Sequence, residues 1–197
     1  MEIESYDQVE DALRTIGYYR LRGYSFQLYN NDSKKYVVGT KFENILQLYQ
    51  FDQKLSNLIF SMISKIEVAL RVRLVEALLI HNDVLILQDS SIFKDKKMFT
   101  SWVQGISILR NMCAHNSRIY NRTIHTTPEI LDVDKIIPTT SHNGVYQILL
   151  AMKYLRASNQ EWMEFVNKLE KLLEENQDVI DLAAMNMPID WKEHLNA

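Results

Sequence analysis

Between residues 42 and 80 the chain contains neither proline nor glycine. Ile45, Leu48, Leu55, Leu58, Ile59, Met62, Ile63, Ile66, Leu70, Leu74 and Leu78 recur there at three- and four-residue steps. That spacing predicts one long helix with an apolar stripe, and Phe51–Gln53 is the one place where it invites a break. A long amphipathic helix cannot be stable alone in water, because its stripe must be covered by other elements. The economical cover is more helices, so the constraint points to an all-α bundle.

The rest of the chain supplies them. Residues 5–17 place Val9, Ala12, Leu13 and Ile16 at helical spacing, with Ser5 or Asp7 able to cap the start. Residues 18–29 are dense in aromatics, and residues 30–40 combine turn residues with the β-prone YVV, which predicts a loop or small hairpin. Residues 82–97 read as polar and irregular. A helix follows over about 98–114, with Trp102, Ile106, Leu109 and Met112 on one side. Pro128, Pro138 and a Thr/Ser-rich turn make 120–141 a loop with at most a short helix at Pro128–Val133. Residues 144–156 and 159–176 read as two amphipathic helices, followed by a short tail. The expectation is five or six helices in a single domain spanning residues 1–197.

Composition agrees with this reading. Only 5 Gly and 3 Pro occur in 197 residues, which disfavours a loop-rich fold. Cys113 is the single cysteine, so no internal disulfide is possible, and a reducing compartment is expected. The acidic, polar N-terminal stretch lacks the layout of a signal peptide, and the apolar tracts are too short to span a bilayer. These features predict a soluble, cytoplasmic protein with no membrane partner. The net charge of −3 argues weakly against a broad nucleic-acid-binding surface. Its distribution is uneven, however. Arg110 to His125 contains three arginines, two histidines and no acid, whereas acids cluster over Glu161–Asp181.

The informative segment is LRNMCAHNSRIYNR, Leu109–Arg122. Arg110 and His115 are five residues apart, about 140° around an ideal helix. They share a cleft only near a helix end, at a bend, or beside a second copy of the motif, which favours a site at an interface. The residue types suit phosphodiester cleavage. Histidine moves protons near neutral pH, arginine forks onto phosphate oxygens, and asparagine orients the histidine or the substrate. In RNA the 2′-hydroxyl is an internal nucleophile, so no metal or other cofactor is required. His115 and His125 are ten residues apart with no carboxylate between them, which is not a metal-ligand pattern. Plainer readings exist for each residue. His115 can be a helix C-terminal residue held by the macrodipole, and Arg118 and Arg122 can be solvated charges. An isolated Arg-x4-His spacing has little specificity. The aromatics Tyr18, Tyr19, Tyr24, Phe26 and Tyr29 offer stacking faces for bases, but their clustering favours core packing or a subunit contact. Cys113 reads as a small buried residue, and Glu170–Asn176 as a solvated helix face.

The whole string resembles the signature of abortive-infection proteins of the AbiD/AbiF type, a branch of the HEPN superfamily. That pattern is close to Arg-Asn-x-x-Ala-His-x-x-Arg-x-Trp/Tyr-Asn-Arg, preceded by Ser-Trp, here Ser101 and Trp102. YYRLRGY at Tyr18–Tyr24, the long helix from Phe51 to Leu74, and MNMPIDWKEH at Met185–His194 resemble further landmarks, with Asn186 where glycine is usual. The chain departs from the pattern in a short lead-in before the first helix and in the short interval 80–100. The resemblance implies a HEPN-like helical fold, usually dimeric, with two Arg-x4-His motifs facing each other. It implies a metal-independent endoribonuclease that leaves a 2′,3′-cyclic phosphate and a 5′-hydroxyl. On this chain His115 is then the proton-transfer residue, Arg110 the phosphate or transition-state contact, and Asn111 a supporting group. Arg118, Arg122, Asn116 and Asn121 are candidate RNA contacts. Glu67 and Arg71 either brace the motif or form an i,i+4 surface pair worth a few tenths of a kcal/mol. The implied partners are an RNA substrate, a second copy of the chain, and an RNA or protein antitoxin. The competing reading is an RNA-binding helical module without catalysis. A purely structural adaptor leaves the polar string unexplained.

Overall fold

The computed structural model describes residues 1–81, 96–134 and 143–196. The expected irregular stretch at 82–97 lies, up to residue 95, outside the described residues, as does the end of the 120–141 loop. The fold is all-α with one small hairpin. Its helices are α1 (Tyr6–Thr15), α2 (Tyr18–Ser25), α3 (Phe42–His81), α4 (Lys96–Ala114), α5 (Val145–Leu155), α6 (Asn159–Glu174) and α7 (Trp191–Asn196).

Local chemistry sets these boundaries. Ser5 caps α1 by accepting the Gln8 amide at 3.3 Å, and Ser158 does the same for α6 at Glu161. The aromatic stretch forms α2, an element the sequence reading left unassigned, and Gly17 precedes it at φ 91°. The predicted hairpin is present as β1 (Tyr29–Asn30) and β2 (Lys35–Tyr36), with Tyr29 paired to Tyr36 and Asn30 to Lys35. Its turn is held by the Asn30 side chain, which accepts the amides of Asp32 and Ser33 at 2.9 Å.

The long helix runs unbroken through Phe51–Gln53. Asp52, in the middle of that stretch, is fully buried and faces inward. Phe51, Leu55, Ile59, Ile63 and Ile66 form the buried seam of α3. Cover comes from α4, α5 and α6. The α4 helix runs back along α3, so Cys113 meets Ser56 while Arg110 meets Glu67. The centre of the core is α5, whose residues are buried all round, including Tyr146, Ile148, Leu149 and Met152. Each such side chain contributes about 1.5–3 kcal/mol by leaving water. A smaller cluster of Ala12, Leu21, Phe42 and Leu46 seats the N-terminal helices on the start of α3.

The C-terminal segment is more than a tail. Trp191 and Leu195 are buried, and Trp162 Nε1 and Lys153 Nζ donate to the carbonyls of Leu195 and His194 at 2.8 and 3.0 Å. Those bonds satisfy carbonyls at the end of α7 that no helical amide reaches. Lys153 also pairs in the core with Asp134 at 3.1 Å. Asn186 has φ 59°, a left-handed conformation that glycine and asparagine adopt most readily, which explains the substitution seen there. A Cβ on Gly144 would fall 2.4 Å from the Met185 carbonyl oxygen, so the chain can pass there only as glycine.

Candidate active site

The end of α4 is built from the polar string itself. The Ser117 amide donates to the Met112 carbonyl at 2.8 Å, and the Asn116 amide to the Cys113 carbonyl at 3.0 Å, with Asn116 at φ 50°. This is a Schellman motif with asparagine in the left-handed position. His115 is therefore the C-cap, and Arg110 and Asn111 lie in the last turns of the helix. The geometric condition set by the five-residue spacing, a helix end, is met. Arg110, Asn111 and His115 are all exposed. Among the described residues the His115 imidazole has no hydrogen-bond partner.

Arg110 is oriented from two sides. Its Nη1 donates to Asn111 Oδ1 at 3.2 Å, and its Nε lies 3.7 Å from Glu67 Oε1. The other Glu67 oxygen is 3.9 Å from Arg71. Glu67 thus bridges two arginines, with its carboxylate about one-third exposed. Glu67 contacts both arginines, and the contact with Arg110 is the shorter. At this exposure each pair contributes little to stability, about 0.2–1 kcal/mol.

The stretch after the helix is held quite differently. The Asp52 carboxylate accepts the Tyr120 amide at 2.7 Å, the Ile119 amide at 3.1 Å and the Tyr24 hydroxyl at 2.6 Å. Burial pushes the Asp52 carboxyl above its ordinary range, while the Tyr24 hydroxyl, the two amides and Arg118 pull against that. Burial, and then the Asp52 charge, hold the Tyr24 hydroxyl far above its usual range, so it remains a donor. Arg118 donates to the Gly23 carbonyl and lies 5.9 Å from the Tyr24 ring centre. Arg20 Nη2 donates to the Asn116 carbonyl at 2.9 Å. Three segments far apart in sequence, α2, the first third of α3 and the loop after α4, are joined around one buried carboxylate.

The proposed RNA contacts divide. Arg118 is half-buried and anchors the loop to α2, and Asn116 shapes the helix end. Asn121, at φ 52°, and the exposed Arg122 line a different cleft of about 240 Å³ with Thr123, Asn143, Gly144 and Asn186. The Ser-Trp pair also has a structural place. Ser101 Oγ accepts the Glu129 amide at 2.9 Å, and Trp102 Nε1 donates to the Glu129 carbonyl at 2.7 Å. Cys113 is buried, and burial pushes its thiol up to about 11, which makes it a poor nucleophile.

Sequence reading missed Asp52, Tyr24 and Arg20. A signal for Asp52 did exist. It stands four residues after Leu48 and three before Leu55, an acid inside the apolar stripe. Of the five aromatics assigned to packing, Tyr24 is buried and Tyr29 packs on Tyr36 at 5.1 Å, but Tyr18, Tyr19 and Phe26 are exposed. For those three the core reading is corrected. Tyr18 and Tyr19 belong to a short helix whose inner side is already filled by Leu21 and Tyr24, and Phe26 follows directly after it.

No helix among the described residues is long and apolar enough to cross a membrane. The family described as Abi-like protein matches residues 11–98 and 80–121, together more than half of the chain. The matched span takes in α2, Asp52, Glu67, Arg110 and His115. No curated protein and no solved structure matches the chain.

Proposed function

The chain belongs to the Abi-like protein family, and from that premise we propose that it is a metal-independent endoribonuclease of HEPN type, acting in the cytoplasm as a growth-stopping toxin in phage defence. The observation that carries the proposal is the exposure of Arg110, Asn111 and His115 together at the end of α4, above a loop anchored by Asp52. A site that meets a polymer must present its reactive groups to solvent while keeping their backbone fixed.

The reaction needs few parts. The ribose 2′-oxygen attacks the adjacent phosphorus, and the bond from phosphorus to the 5′-oxygen breaks. The products are a 2′,3′-cyclic phosphate and a 5′-hydroxyl. One proton leaves the 2′-oxygen and one reaches the 5′-oxygen. His115 transfers protons, and Arg110 stabilises the charge that grows on the phosphoryl oxygens. Asn111 and Glu67 hold the Arg110 guanidinium in place. A homodimer that apposes two motifs would supply the second histidine, so that one ring accepts a proton while the other donates. Arg122 and Asn121, in their own cleft, would contact RNA away from the scissile bond. Restraint of such a toxin calls for an RNA or protein antitoxin.

Induced expression in a bacterial host tests the proposal. Wild type is expected to arrest growth, and His115→Ala and Arg110→Ala to permit it at equal protein levels. Arrest of equal strength by all three proteins would contradict it.

A further inference from the structure

We propose that one flank of α2 is a stacking platform for single-stranded RNA, formed by the rings of Tyr19 and Phe26 with the Arg118 guanidinium between them. The identity of the ligand rests on the ribonuclease reading above. The surface itself rests on four independent observations.

The first is exposure. Tyr19 is 85% exposed and Phe26 56%. The second is register. Tyr19, Gly23 and Phe26 are spaced i, i+4, i+7, and Phe26 keeps helical angles of φ −58° and ψ −40°, so all three lie on one flank. Gly23 puts no side chain between the rings. Its carbonyl accepts from Arg118, whose Nη1 lies 4.0 Å from the place a Cβ would occupy. The flank therefore carries two exposed rings, with the half-buried Arg118 guanidinium at Gly23 between them. Both kinds of plane stack on bases.

The third observation is charge. Residues 16–28 contain Arg20 and Arg22 and no acid, and residues 110–125 contain three arginines and no acid, in a chain of net charge −3. A protein partner drawn to apolar rings has no need of this bias, whereas a phosphate backbone does. The fourth is position. Arg20, next to Tyr19 in sequence, donates to the Asn116 carbonyl at 2.9 Å, and Asn116 follows His115. A strand lying on the platform is led to the histidine. Single-stranded RNA is the occupant that fits, because its bases can splay onto rings and a duplex keeps them stacked within itself.

The test uses the His115→Ala protein, so that RNA is bound without being consumed, and reads fluorescence anisotropy with labelled oligouridine and oligoadenosine. Adding Tyr19→Ala or Phe26→Ala is expected to weaken binding of both about tenfold each, with unchanged thermal melting because both rings are solvent-facing. Tyr19→Trp is expected to retain affinity, which a role for the hydroxyl would not allow. Alanine variants that bind as tightly as their parent would overturn the platform. So would a parent that binds no RNA, or a loss of affinity that tracks conversion of an oligomer to monomers. The two readings fail separately. Cleavage by wild type with undiminished binding by Tyr19→Ala refutes the platform alone. A tenfold binding loss without cleavage by wild type refutes the nuclease alone.

Discussion

The two halves of the LRNMCAHNSRIYNR segment meet opposite conditions. Arg110, Asn111 and His115 stand in solvent at the end of α4, while Ile119 and Tyr120, a few residues on, are 1% and 6% exposed with their amides on Asp52. The first half presents side chains, and the second gives up its backbone to be held. A polar string that looks uniform in sequence is thus divided into side chains that face solvent and a backbone that is anchored to Asp52. The boundary is the left-handed Asn116.

That division can be broken from the structural side first. Asp52→Ala leaves two buried amides and a buried hydroxyl without an acceptor and Arg118 without its nearby charge. It should cost about 3–5 kcal/mol of stability. Urea denaturation should show the loss, and cleavage should fall with it. Arg110→Ala should do the reverse. Stability should change by less than about 0.5 kcal/mol, while cleavage falls about 10²–10³-fold, the usual effect of removing one transition-state donor. An Arg110→Ala protein that melts as early as Asp52→Ala would erase the distinction between the halves.

Smaller effects sharpen it. Tyr24→Phe removes a single donor to Asp52 and should cost about 1–2 kcal/mol, leaving the fold intact for a cleavage assay. Glu67→Gln should slow cleavage more than Arg71→Ala does, because Glu67 touches Arg110 and Arg71 touches only Glu67. Both should leave the melting temperature nearly unchanged. Equal kinetic effects would mean that the Glu67 contact does not orient the guanidinium.

The smallest effect is on pH dependence. Asp52 has a folded pKa above its ordinary 3.8, so between those values the folded chain binds more protons than the unfolded one, and stability falls as pH rises. The contribution is fully present below 3.8 and lost once pH passes the raised value. Asp52→Asn lacks it. Its stability relative to wild type should therefore improve as pH is raised from about 4, measured by urea midpoints. A difference that stays constant with pH would refute the raised carboxyl.

Much of the fold was legible because it is periodic. The α3 stripe, α4, α5 and α6 each carry their spacing in a single stretch. The α2 helix was not, since its Gly23 and its exposed rings break the expected stripe. In sequence the C-terminal helix looks like a tail because α7 is too short to show a period, and it is held by donors from Lys153 and Trp162 on other helices. The same reason limits the site. Arg110, Asn111 and His115 stand out by composition. The anchoring role of Arg118 depends on Gly23, 95 residues earlier, and that of Asp52 on amides 67 and 68 residues later. No local pattern encodes those distances. In sequence Asp52 shows only as a charge inside an apolar stripe.

The exposed half of the motif is proposed to cleave RNA without a metal. The most direct test is incubation of end-labelled single-stranded RNA in EDTA with purified wild type, His115→Ala and Asp52→Asn. Expected are cleavage by wild type with 2′,3′-cyclic phosphate ends, loss of about 10²–10⁴-fold in His115→Ala, and substantial activity in Asp52→Asn, which keeps an acceptor for the loop. Undiminished cleavage by His115→Ala, or no cleavage by wild-type protein that binds the RNA, would contradict it.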